Sequence, residues 1–125
     1  MKIAITMTGT GLDDPIDQRF GRCSMFLLVD PETMNVETID NRSAEARGGA
    51  GIQAAQQLAQ SGVEVVITGN IGPNAFRTLQ AANIETYVGA SGTARDALKR
   101  YESGGLEKAT EASVGSHFGM GGGRR

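Results

Sequence analysis

Apolar and polar positions along the chain switch between two periods. Lys2–Thr8 is β-rich and largely apolar, the pattern of a buried strand. A second apolar run, Ser24–Val29, closes on Asp30-Pro31-Glu32-Thr33, a turn with proline at its second position. Asn35–Ile39 then alternates apolar and polar side chains, so the two runs predict a hairpin. From Ile52 to Gln60 the period becomes helical, with Ile52, Ala55, Leu58 and Ala59 on one face. Gly62 suits the left-handed position past that helix. Val63–Ile67 is a continuous β-branched run, which predicts a strand covered on both faces and therefore parallel to a neighbour. Pro73 suits the first turn of a helix over Asn74–Ala82, striped by Ala75, Phe76, Leu79 and Ala82. Ile84–Val88 reads as a short strand, and Thr93–Tyr101 as a last helix with Ala94, Ala97, Leu98 and Tyr101 inward.

The order β-β-β-α-β-α-β-α predicts an α/β fold of three layers, a five-stranded mixed sheet flanked by helices. The first and fourth strands are expected side by side in the middle. Only the second strand is then antiparallel, as in ribonuclease-H-like folds. Residues 1–110 are expected to form the domain, and residues 111–125 a flexible Gly/Arg-rich tail.

Composition narrows the function classes. A length of 125 residues fits one domain with its own core, and the absence of Trp leaves packing to small aliphatic side chains. A net charge of −2 gives no whole-molecule field for nucleic acid. No apolar run is long enough to cross a bilayer, and no secretory leader pattern follows Met1. A single cysteine cannot close an internal disulfide, which fits a reducing, cytoplasmic setting.

In open α/β sheets ligands bind beyond the carboxyl ends of the parallel strands. Three Gly-rich loops are expected there: Gly9–Arg22, Asp40–Gly51 and Gly69–Pro73. The first two carry Arg19, Arg22, Arg42 and Arg47. Backbone N–H groups at helix starts, with guanidinium groups nearby, suit a multiply charged anion. The same glycines also serve if they only make tight turns. Gly48-Gly49-Ala50-Gly51 is neither a P-loop, since no Gly-Lys-Ser/Thr follows, nor a dinucleotide fingerprint. Cys23 follows Gly21-Arg22, where an adjacent arginine and nearby amides would favour the thiolate and hence metal ligation. One cysteine cannot hold a conventional four-cysteine cluster, and a lone cysteine also fits a small core residue. His117, the only histidine, is a further candidate ligand or a plain tail residue, and Met120 is a weaker donor. Asp13, Asp14 and Asp17 suggest a divalent metal, yet the strands lack nuclease carboxylates and no nucleophile elbow appears.

Four segments carry a resemblance. Asp17-Gln18-Arg19-Phe20-Gly21-Arg22-Cys23 resembles the Asp-x-Arg-Phe-Gly-Arg-Cys segment of the dinitrogenase iron–molybdenum cofactor biosynthesis family. Gly48-Gly49-Ala50-Gly51-Ile52-Gln53-Ala54-Ala55 and Thr68-Gly69-Asn70-Ile71-Gly72-Pro73-Asn74-Ala75 look like its second and third landmarks. Ser116-His117-Phe118-Gly119-Met120-Gly121 resembles the end of many stand-alone members. The resemblance implies a ribonuclease-H-like fold without nuclease chemistry. It implies binding or carriage of iron–molybdenum cofactor, its iron–sulfur precursors or a related sulfido-metal cluster, molybdenum–copper sulfide included. Fused members add a radical-SAM domain, for which this chain has no room. The Gly-Arg tail looks like that of members linked to iron–sulfur storage.

The leading expectation is therefore a non-catalytic carrier or storage protein for an anionic metal–sulfur cluster. Gly48, Gly49, Gly51, Gly69, Asn70 and Gly72 would supply amide donors, Arg19 and Arg22 positive charge, and Cys23 and His117 metal ligands. Cluster-assembly or acceptor proteins and a second copy of the chain are the expected partners, and nucleic acid and membrane are not. The alternative is a regulatory or interaction module that binds a small phosphate-bearing metabolite or nucleotide.

Overall fold

A computed structural model describes residues 1–41 and 49–112. Nine elements follow in order: β1 (Ile3–Met7), β2 (Met25–Asp30), β3 (Asn35–Asp40), α1 (Ala50–Gln60), β4 (Val65–Ile67), α2 (Pro73–Ala81), β5 (Glu85–Val88), α3 (Ala94–Glu102) and β6 (Glu107–Lys108). They build one sheet of order β3-β2-β1-β4-β5-β6. β1 and β4 are parallel neighbours in the middle, in the register Ile3–Val65 to Ile5–Ile67, as the continuous apolar runs predicted.

The expected five strands become six. Glu107–Lys108 pairs antiparallel with Tyr87–Val88, so two strands, β2 and β6, oppose the direction of the other four. β6 has two exposed, charged residues and hence no hydrophobic period to read. It forms because β5 otherwise leaves an open ladder, because buried Leu106 anchors it, and because Ala109 N–H donates to Thr86 O at 2.8 Å.

Alternation along the strands makes two cores. One face of the sheet (Ala4, Phe26, Leu28, Val66, Val88) packs on Ala54, Ala55 and Leu58 of α1 and on Ala75, Phe76 and Leu79 of α2. The other face (Ile3, Ile5, Leu27, Val65, Ile67) packs on Ala94, Ala97 and Leu98 of α3. Ala54 and Ala55 of α1 and Ala75 of α2 leave room for α1 and α2 to lie side by side on this face. Each helix ends the same way. Residues with positive φ follow α1 (Gly62, +81°), α2 (Asn83, +62°) and α3 (Gly104, +80°), each with a backbone bond back to the last turn.

This topology places the carboxyl ends of β1, β3, β4 and β5 along one edge. The described connections leaving that edge are residues 8–24, 68–72 and 89–93, with Asn41 ending the run from β3. No helix among the described residues is long and apolar enough to cross a membrane.

Candidate anion site at the carboxyl edge of the sheet

The long connection after β1 is folded tightly against its neighbours. Asp17 N–H donates to Thr6 O at 2.8 Å, and Ile16 N–H to Gly92 O at 2.9 Å. Thr6 Oγ1, buried between β1 and β4, donates to Asp17 O at 2.6 Å and lies 3.0 Å from Thr68 Oγ1. Residues 18–20 then run beside Asn70, whose N–H donates to Gln18 O at 2.8 Å and whose carbonyl accepts from Phe20 N–H at 3.2 Å. Gly69 is required by that approach: a Cβ there would sit 2.9 Å from Gln18 Cα. The two predicted landmarks containing Arg19 and Asn70 are thus joined by a parallel bridge.

Arg19 is held in place rather than dangling. Its Nε lies 3.1 Å from Asp17 Oδ1 and its Nη2 3.2 Å from Oδ2, while its own N–H donates to Oδ1 at 2.9 Å. The carboxylate is 8% exposed and the guanidinium side chain 62%, so Asp17 grips from below and the cation faces solvent at the rim. Hydrogen bonding to Asp17, reinforced by its charge, raises the already high pKa of Arg19. Arg22 is exposed two residues beyond Phe20, which leans on Phe26 with ring centroids 5.9 Å apart.

The helix starts separate into two kinds. α3 is closed: Thr93 and Asp96 form a reciprocal capping box, and Ala94 and Arg95 donate to the carbonyls of Asp14 and Leu12 at 3.1 and 2.8 Å. α1 and α2 have no side-chain cap and no acidic residue in the first turn. Their N-caps are glycines, Gly49 in the left-handed region (φ +70°) and Gly72 extended. They start against each other, because a Cβ on Gly51 would sit 2.9 Å from the Ala75 Cβ. Gly21 (φ +92°) lies on the same spot: its Cβ would fall 3.1 Å from Gly51 Cα and 3.2 Å from Gly51 N. Two helix N-termini with glycine N-caps and no first-turn carboxylate therefore share one edge with Arg19 and Arg22.

Among the residues expected from sequence, Arg19, Asn70, Gly49, Gly51, Gly69 and Gly72 all lie in the connections and helix starts of this edge, with Arg22 in the turn against α1. Gly69 is buried and serves the close packing of two loops; Gly49 and Gly72 sit at helix starts with open space around them. Gly48 and His117, with Arg42, Arg47, Met120 and most of the tail, lie outside the described residues.

Cys23 corrects the expectation of a thiolate. Its side chain is fully buried among Phe26, Ala54 and Ala55. Burial, with the Asp17 charge adding to it, pushes the thiol up to about 12, and the hydrogen bond from Asn41 offsets only part. The neighbouring Arg22 is exposed and does not reverse this, so the residue is held neutral in the folded core. The acidic trio also disperses. Asp13 pairs with Arg95 on the α3 side, which holds its carboxyl below the usual range; Asp14 accepts from Gly11 N–H; Asp17 holds Arg19. Among the described residues no three His, Cys, Asp or Glu side chains gather as a metal site.

Two structural features of this edge escape sequence reasoning, the grip of Asp17 on Arg19 and the buried Asn41 at the end of β3. Asp17 was legible only as one more carboxylate, although Asp-x-Arg spacing allows such a pair. Asn41 looks like any turn residue until its burial is seen.

What the geometry defines is a three-layer α/β domain with two glycine-capped helix starts and Arg19 gathered at one edge of the sheet. The model of the dinitrogenase iron–molybdenum cofactor family matches residues 1–104, and the chain belongs to that family. It resembles the apo orange protein of Desulfovibrio gigas, with 44% identity, a TM-score of 0.86, and coverage of 89% of this chain and 94% of that one. A NifB-type protein from Thermotoga shares 37% identity and a TM-score of 0.75, over 86% of this chain and 91% of its own. An uncharacterized Methanocaldococcus jannaschii protein is 32% identical over 111 residues, covering 86% of this chain and 91% of that protein.

Proposed function

We propose that this protein binds and carries a polyanionic metal–sulfur cluster at the α1/α2 edge, without catalysing its chemistry. The observation that carries the reading is the contrast between helix starts. α3, on the opposite face, starts on a reciprocal Thr93–Asp96 capping box, whereas α1 and α2 start side by side on glycine N-caps with no acidic residue in the first turn, on the edge that carries the carboxylate-held Arg19. Sulfide-rich clusters offer many acceptor atoms and excess negative charge, which matches amides and guanidinium groups rather than a ligand cage. Family membership and the likeness to an apo-form protein and a NifB-type protein support a cofactor-related role.

The cluster, an iron–molybdenum cofactor precursor, an iron–sulfur species or a molybdenum–copper sulfide, would be captured preformed. Cys23 would join only if the turn around it opened, and His117 of the 111–125 tail would be a ligand from outside the described core. Carriage or storage implies transfer to or from cluster-assembly or acceptor proteins, or a cluster shared between two copies. The strand order β3-β2-β1-β4-β5 supports the ribonuclease-H-like reading of the fold.

The test is metal and acid-labile sulfide content after anaerobic incubation with iron and sulfide, or with tetrathiomolybdate, followed by desalting. Retention in fixed ratio that falls in Arg19→Ala supports the reading. No retained metal under either condition removes it in favour of the phosphate- or nucleotide-binding module.

A further inference from the structure

Asn41 stands one residue past β3, where its N–H donates to Ser24 O at 3.1 Å and extends the hairpin ladder. Its side chain is buried, with 6% of the residue exposed. The two protons of the carboxamide match two acceptors: Nδ2 lies 2.9 Å from Gly21 O and 2.9 Å from Cys23 O, the carbonyls on either side of Arg22. The same nitrogen lies 3.7 Å from Cys23 Sγ. Gly21 in turn is the residue whose backbone presses on Gly51 at the start of α1.

We propose that Asn41 is a positioning residue for the anion site: its carboxamide latches the Gly21–Cys23 turn, fixing Arg22 and seating Gly21 on the first turn of α1. This role rests on the cluster-binding reading above. No hydrophobic side chain of similar size could replace it, because two buried carbonyls would lose the Nδ2 donor and the turn is bent by Gly21 at φ +92°. Aspartate has the right shape and the wrong polarity, placing an acceptor against two carbonyl oxygens. The latch also covers the sulfur of Cys23, so opening it exposes a thiol that the intact fold hides.

The experiment uses the full chain with Asn41→Ala and Asn41→Asp, and Leu98→Ala as a control destabilised from the other face of the sheet. Cys23 modification by a disulfide reagent and tetrathiomolybdate affinity are read well below each melting point. The expected result is a rise of about tenfold or more in modification rate and a similar loss of affinity, neither shared by Leu98→Ala. Equal rates in Asn41→Ala and Leu98→Ala would overturn the latch, since the thiol would then open through global loosening. Faster modification with unchanged affinity would overturn the positioning role. If wild type binds no tetrathiomolybdate, the cluster-binding reading fails, and the site role proposed for Asn41 falls with it while the thiol rates still decide the latch. Should both Asn41 variants fail to fold, the wild-type side-chain amide decides: slow Nδ2 proton exchange supports the latch, and exchange at the rate of an exposed amide overturns it.

Discussion

Gly21→Ala tests whether the turn after Phe20 really sits on the start of α1. At φ +92° an alanine incurs the left-handed penalty, roughly 1–2 kcal/mol, part of it offset by about 0.4–1 kcal/mol from the stiffer unfolded chain. The new Cβ also meets Gly51 Cα at 3.1 Å and Gly51 N at 3.2 Å, backbone atoms that cannot rotate away. Overpacking of this kind adds about 1–3 kcal/mol. Gly62→Ala separates the two contributions, because Gly62 has a similar φ of +81° and no atom within 4 Å of its added Cβ. Gly62→Ala should therefore lose about 0.5–1 kcal/mol and Gly21→Ala about 2–4 kcal/mol. For a domain near this size the difference corresponds to a fall in Tm of roughly 5–20 °C more for Gly21→Ala. Thermal unfolding by circular dichroism, with denaturant titration for the free energies, measures both. Gly21→Ala should also weaken tetrathiomolybdate binding, and Gly62→Ala should not. Equal losses of stability in the two variants would refute the close approach of turn and helix.

Other expectations follow from single contacts. Thr93→Ala removes the capping box of α3 and should cost about 1 kcal/mol in denaturant unfolding while leaving anion affinity unchanged. Arg19→Ala should lower tetrathiomolybdate affinity by about three- to tenfold and flatten its salt dependence in titrations at varied ionic strength. The Cys23 thiol is raised to about 12 in the folded state, so the unfolded chain ionises first as pH climbs past about 9. Stability present below that pH should then fall toward pH 12 by up to about 1.4 kcal/mol per unit, and Cys23→Ala should remove that slope relative to wild type.

Much of the fold was legible because its signals are local. The continuous apolar runs Ile3–Met7 and Val65–Ile67 specify central strands, and Gly62 and Pro73 punctuate helices where periodicity says they should. Glu107–Lys108 was not legible, since an edge strand of two charged residues is defined by the ladder it joins. The site divides along the same line. Arg19, Asn70 and the glycines at helix starts are readable as candidates by type and spacing. The neutral, buried state of Cys23 depends on Phe26, Ala54 and Ala55, which come from distant parts of the chain, so no neighbour in sequence reveals it. Asn41 is hidden for the same reason: its partners lie 18 and 20 residues away.

The most direct test of an anion site at the α1/α2 edge is an amide map. Backbone ¹H–¹⁵N spectra recorded during anaerobic titration with tetrathiomolybdate should shift Gly51, Ile52, Asn74 and Ala75 together with Arg19 and Asn70. The amides of Ala94, Arg95 and Asp96, already satisfied at the start of α3, should stay in place. Shifts centred on α3, or none at saturating tetrathiomolybdate, would contradict the account.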